Sequence, residues 1–291
     1  MISVLQLGTI DYATALRLQQ QLVALRKENK IGDVLLLLEH KPVITLGRNA
    51  KAANVIASPE LLAQRGVELY ECDRGGDVTF HGPGQLVGYP IFDLRGYASG
   101  ADAPSTLRKT LGAVDFVRRL EEVLIRTCAD FTIETKRIPG LTGVWTSPNP
   151  MSSRAAENDS KNRSLQSRDL LFPGTAANAE SKLAAIGIHI SRSVTSHGFA
   201  LNVNPDLTYF NLIIPCGITA KPVTSMQKEL SKKLDMTAVA ESISRNFSKA
   251  FSTQILWVDT IDALLGHTIG VPMREPENLR QLHQDEDLHQ A

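Results

Sequence analysis

The chain has 291 residues, 43% of them hydrophobic, and its 31 lysines and arginines balance 31 aspartates and glutamates. That length suits one large domain or two small ones with a substantial core. A formal net charge of zero excludes recognition of nucleic acid or a membrane by bulk charge, though not by a local basic patch.

Met1–Ile10 has neither a basic leader nor a small-residue cleavage site, so it reads as a first strand rather than a signal or transit peptide. No apolar run approaches membrane-spanning length. Asp11 is predicted to cap a helix over 12–29 with Leu18, Leu22 and Leu25 on one face. The continuous run Val34–Glu39 predicts a strand buried on both faces, and Val43–Gly47 resumes extended structure after the break at His40-Lys41-Pro42. Ser58-Pro59-Glu60 has the residues of a helix start, and Gly66 those of its stop.

Val67–Tyr70 and Leu86–Phe92 read as strands. Between them, residues 74–85 pack four glycines and a proline among Arg74, Asp77 and His81. A hairpin needs only two turn residues, so this stretch reads as a loop whose backbone approaches a ligand closely. No Gly-Lys-Ser/Thr follows it, and a strand rather than a helix does, which excludes a Walker loop and a dinucleotide fingerprint.

A helix is expected over about 105–129, with Val114, Val117, Leu120 and Leu124 at helical spacing. Phe131–Glu134 and Gly140–Trp145 read as extended. Residues 147–179 are rich in serine, asparagine, alanine and proline without periodicity, and read as a flexible insertion. Lys182–Ile190 and Val194–Asn204 predict a hairpin turning at Ser191-Arg192-Ser193. Helices are expected at about 237–250 and 259–265. The pattern is that of a single α+β domain over 1–270, a mixed sheet with packed helices, followed by a polar tail at 271–291.

Three cysteines without CxxC spacing argue against a disulfide framework, against a zinc site, and for a reducing, cytoplasmic setting. Cys72 and Cys128 read as structural. Cys216 stands between Pro215 and Gly217 after an apolar run, and is either a buried small hydrophobe or a presented nucleophile. A nucleophilic thiol needs a base or cation, and His81, His189, His197 and Lys182 are the candidates. His189 alternates with isoleucines and reads equally as a solvent-facing strand residue. Lys182 begins an apolar strand. Either its head reaches water, or it is partly buried and able to exchange protons near neutral pH.

Together these pieces resemble one family. Arg74-Gly75-Gly76 with Thr79, His81–Leu86 and Tyr89-Pro90, Gly143-Val144-Trp145, Lys182–Gly187, His197–Asn202 and Ile214-Pro215-Cys216-Gly217 are similar to the motifs of the octanoyltransferases of lipoate biosynthesis. The resemblance runs from about residue 3 to 250; the 147–179 segment and the tail depart from it.

The resemblance implies the fold of biotin and lipoate protein ligases, and a monomer working without a cofactor or metal. It implies transfer of an octanoyl group from octanoyl-acyl carrier protein to a lysine on lipoyl domains of 2-oxoacid dehydrogenase complexes and the glycine cleavage H protein. By position, Cys216 would hold the acyl group as a thioester, and Lys182 would lower its pKa and relay protons. Arg74, Gly75, Gly76, Asp77, Val78, Thr79, Phe80 and His81 would line the substrate site with Ala185, Ile186, Gly187, Gly198, Phe199 and Ala200, and His197 would support it. Leu183, Ile186 and Phe199 are candidate walls of an acyl tunnel, and backbone N–H groups near Gly75-Gly76 or Cys216-Gly217 candidate oxyanion donors. Three rivals remain: an ATP-dependent ligase on the same fold, a non-catalytic binding module, and a cysteine hydrolase using His197.

Overall fold

The computed structural model describes residues 1–99, 109–147, 180–215 and 221–267. Its largest sheet has eight strands among these residues: β1 (Ile2–Ile10), β2 (Asp33–His40), β6 (Gln85–Ile91), β9 (Thr135–Ile138), β10 (Leu141–Thr146), β11 (Lys182–Ser191), β12 (Val194–Asn202) and β13 (Ile255–Val258). Their order is β13-β1-β2-β6-β12-β11-β10-β9. Strands β13, β1 and β2 run parallel, and every pairing from β2 onward is antiparallel. A smaller sheet, β4-β3-β5, joins β3 (Val43–Leu46), β4 (Glu68–Glu71) and β5 (Val78–His81), and β7 (Ala98–Ser99) pairs with β8 (Lys109–Thr110).

Alternation in β2 explains the layering. Leu35 and Leu37 face a core built with helices α3 (Ala113–Asp130) and α5 (Met236–Phe251), through Phe116, Leu120, Ile243 and Phe247. Leu36 and Leu38 face the other side, where α1 (Tyr12–Lys27) contributes Leu18, Leu22 and Leu25, and α6 (Ile261–His267) contributes Leu264. The strand is therefore buried on both faces, as its unbroken apolar run requires. A third cluster, with Ile44, Val78, Phe80 and Phe210, fills the space under the small sheet.

The helix starts follow their caps. The Asp11 carboxylate accepts from Thr14 N, and Ser58 Oγ from Leu61 N ahead of α2 (Pro59–Gln64). The hairpin turns through Arg192 and Ser193, both at positive φ (51° and 66°), the backbone of a primed two-residue turn.

Several sequence expectations need correction. Helix α3 begins at Ala113, and Val114 is 72% exposed, because the buried stripe runs through Phe116, Leu120, Val123 and Leu124. Phe131–Glu134 is not a strand: Phe131 closes α3, and the strand starts at Thr135. Strand β13 and the short helix α4 (Met226–Leu230) were not foreseen. Residues 148–179 of the insertion and the 271–291 tail lie outside the described residues.

Candidate active site

The glycine-rich segment is not a loop throughout. Its middle four residues, Val78–His81, form the β5 strand, which pairs antiparallel with β3. Alternation along β5 aims Thr79 and His81 into a cleft of about 490 Å3, while Val78 and Phe80 pack into the small sheet's core. Arg74–Asp77 cover the cleft on one side, with Val87 and Tyr89 of β6, Ala185–Gly187 of β11, His197–Ala200 of β12 and Tyr12 of α1 around it. Gly187 lets the loop seat on the sheet: a Cβ there would stand 2.6 Å from Gly75 O, and Gly75 N already donates to Ile188 O (2.9 Å).

A polar chain stiffens this wall. Arg74 is buried, and its guanidinium donates to Thr45 O (2.7 Å), Thr45 Oγ1 (2.9 Å) and Gly75 O (3.0 Å). Among the described residues no carboxylate forms an ion pair with it. Gln85 Nε2 donates to Phe80 O and Asn202 Oδ1, which leaves Gln85 Oε1 facing His81 Nδ1 at 2.7 Å. An amide oxygen only accepts, so His81 carries its proton on Nδ1 and turns a lone pair on Nε2 toward the Thr45 hydroxyl. Burial, and then the neighbouring His40, hold the His81 pKa down at about 3. His81 is thus neutral at physiological pH.

His197 sits mid-strand with φ at 53°, a strained backbone for a non-glycine residue. Its N–H donates to Gln19 Oε1 (2.8 Å), and its Nε2 lies 2.7 Å from Asp73 Oδ1. Asp73 Oδ2 is also 3.6 Å from His189 Nε2. The carboxylate just before Arg74 therefore ties the glycine loop to β11 and β12. Burial lowers the His197 pKa, against the pull of Asp73.

A second chamber of about 280 Å3 adjoins the first and shares Thr79, Ala185 and Ala200 with it. Lys182, Gln85, Asn202 and Pro215 line it. Lys182 is 9% exposed, and its Nζ lies over the Trp145 ring, 5.2 Å from the centroid. Cys216 lies outside the described residues; Pro215, its covalent neighbour, shares the chamber with Lys182.

Twelve of the expected substrate-site residues line the first cleft: Arg74, Gly75, Gly76, Asp77, Thr79, His81, Ala185, Ile186, Gly187, Gly198, Phe199 and Ala200. Val78, Phe80 and Leu183 do not, since each packs into a core. The Gly75 N–H is spent on Ile188, which removes it as a candidate oxyanion donor. Cys128 is fully buried, its thiol pushed up to about 12 by that burial, and the Cys72 thiol donates to Leu46 O. Neither thiol lines either chamber. Tyr12, Thr45, Asp73, Gln85 and Asn202 were missed as site residues. Gln85 and Asn202 stand inside the quoted motifs and could have been found there, whereas Tyr12, Thr45 and Asp73 carry no local signal.

A two-chambered, lysine-lined cleft on a mixed sheet flanked by helices defines the class. Residues 11–248 match the lipoyl protein ligase A/B catalytic domain, and the chain belongs to that family. It is 55% identical to the octanoyltransferase of Koribacter versatilis over 289 residues, 99% of each chain. It is 50% identical to that of Acidobacterium capsulatum over 266 residues, 91% of this chain and 96% of the relative. Its activity is accordingly acyl transfer in protein lipoylation. The fold is shared with a bi-partite lipoate protein ligase from Thermoplasma acidophilum (TM-score 0.59, 14% identity, 94% of this chain and 98% of that one). It is also shared with lipoate-protein ligase A bound with ATP (TM-score 0.56, 13% identity, 89% of each). Among the described residues no helix is long and apolar enough to cross a membrane.

Proposed function

We propose that this enzyme moves an octanoyl group from octanoyl-acyl carrier protein, in the cytoplasm, to the target lysine of lipoyl domains, through a thioester on Cys216. The observation that carries this reading is the chamber shared by Lys182 and Pro215, which adjoins the glycine-loop cleft at Thr79, Ala185 and Ala200. His197, the rival base, lines the other chamber and is bound to Asp73.

In the first half-reaction the Cys216 thiolate attacks the donor thioester carbonyl. The carrier's C–S bond breaks, and its leaving thiolate takes a proton from the Lys182 ammonium. In the second, the acceptor amine attacks the enzyme thioester, the C–S bond to Cys216 breaks, and the surplus amine proton passes to Lys182. One thioester replaces another, so no ATP is consumed, and the two protein substrates meet the enzyme in turn. The cleft wall of Val87, Ile186, Phe199 and Ala200 suits an alkyl chain.

Intact-mass measurement after incubation with octanoyl-acyl carrier protein tests this. Wild type gains one octanoyl group and Cys216→Ser gains none. Wild-type enzyme that transfers while staying unmodified refutes the thioester, and octanoate activation that depends on ATP and magnesium supports a ligase instead. Lys182→Ala slows both half-reactions; unchanged rates across the pH range remove its role in proton transfer.

A further inference from the structure

The Trp145 indole is 1% exposed, and two cations share its ring: Lys182 Nζ at 5.2 Å and Lys221 Nζ at 5.8 Å from the centroid. Core packing alone needs an apolar side chain of this size but no cation against its face. The second cation is firmly placed. Glu180 binds Lys221 Nζ through Oε2 (2.5 Å) and Lys136 Nζ through Oε1 (2.5 Å). The Lys221 segment is also stitched to the lysine strand: Lys182 N donates to Pro222 O (2.8 Å), and Thr224 N to Lys182 O (3.0 Å).

The strand that carries the indole is shaped around Lys182 as well. Gly143, at φ 126°, has no room for a Cβ, which would stand 2.5 Å from Ala184 O and 3.1 Å from Lys182 Cε. Its N–H is held by the buried Glu121 carboxylate of α3 (3.1 Å), itself paired with Arg118 and Arg137. Strand β10 thus gives the lysine stem a slot at Gly143 and its head an aromatic face at Trp145.

We propose that Trp145 is a positioning residue for the acyl transfer: its ring face seats the Lys182 ammonium, with Lys221, clamped by Glu180, as the second cation on the same ring. This rests on the role given to Lys182 above. A desolvated cation–π contact changes an equilibrium by roughly 5- to 30-fold. Loss of the seat shifts the lysine head while Trp145 lines no part of the acyl cleft, so the effect falls on kcat and leaves KM for the acyl donor unchanged.

The test uses the full-length enzyme carrying Trp257→Phe, which leaves Trp145 as its one tryptophan; Trp257 lies on edge strand β13 and lines neither chamber. Mono-, di- and trifluorotryptophan keep the indole shape while draining its face of electron density. We expect single-turnover acylation to slow stepwise with fluorination, reaching about ten-fold in Trp145→Leu, at constant KM. The ring-current shift on the Lys182 ε-methylene protons should vanish in Trp145→Leu, an NMR readout independent of activity. Acylation indifferent to fluorination while Lys182→Ala in the same background is slow overturns the seat alone. Should Lys182→Ala also acylate at the wild-type rate, the proposal falls with the reading it rests on.

Discussion

Lowering the pH from 8 to 5 should remove about 4 kcal/mol of stability through two imidazoles buried without charge, His40 and His81, with His197, also lowered by burial, adding in the same direction. His40 has no exposed surface; its Nδ1 bonds to Ile10 O, and its Nε2 accepts from the Tyr89 hydroxyl. Burial holds His40 at about 4 and His81 at about 3. An unfolded histidine titrates near 6.5, so below that pH the unfolded chain binds more protons and stability falls with falling pH. At pH 5 the unfolded imidazole gains about 2 kcal/mol from protonation that the folded one forgoes. The figure hardly depends on the folded values, since both lie below pH 5. Carboxylates held low by arginine hydrogen bonds, such as Asp93 with Arg95 and Glu122 with Arg126, lose their contribution only below about pH 4.5 and stay out of this window. Urea unfolding at the two pH values reads the difference, and His81→Gln should roughly halve it. Equal stability at pH 8 and pH 5, or an undiminished loss in His81→Gln, refutes the argument.

Arg74→Lys keeps the charge but loses the fork onto Thr45 and Gly75, so we expect about 1–3 kcal/mol less stability by thermal melting, together with a raised KM for the acyl donor. Gly187→Ala puts a methyl 2.6 Å from Gly75 O and pushes the loop off β11, and should cost roughly 10- to 100-fold in kcat/KM with secondary structure intact by circular dichroism. Asp73→Asn should weaken the tie to His197 and raise KM several-fold while the acyl-enzyme still forms, as steady-state rates and intact mass would show.

Much of the fold is legible because burial writes itself into periodicity. Leu35–Leu38 could only be a strand covered on both faces, and the hairpin shows as two alternating runs around Arg192. The β5 strand was hidden because glycines on both sides made Val78-Thr79-Phe80-His81 look like part of a loop, although its alternation of apolar and polar residues was the available signal. Helix α3 was started too early because Lys109-Thr110 pair as β8 with Ala98-Ser99, a long-range contact that helical spacing further on does not reveal. The site divides the same way. The cleft residues lie in contiguous motifs, but the groups that orient them come from afar: Asp73 and His197 are 124 residues apart, and Thr45 reaches Arg74 across 29. The first partnership forms only once the two sheets are packed together, the second only once β3 has paired with β4, and no local pattern encodes either.

The register of β11 and β12 is unbroken from Ala184–Leu201 to Ser191–Val194. One strand therefore carries Lys182 at its start and the cleft-lining residues Ala185–Gly187 a few positions on. At about 3.3 Å per residue, Lys182 and Ala185 stand roughly 10 Å apart along it, close to the reach of an extended eight-carbon chain. The distance is graduated into a hydrogen-bonded sheet, so it cannot stretch for a longer acyl group as a loop would. On the proposed reading, a variant with an altered chain-length preference would be sought among cleft-wall residues such as Ile186 and Phe199, not beside Lys182.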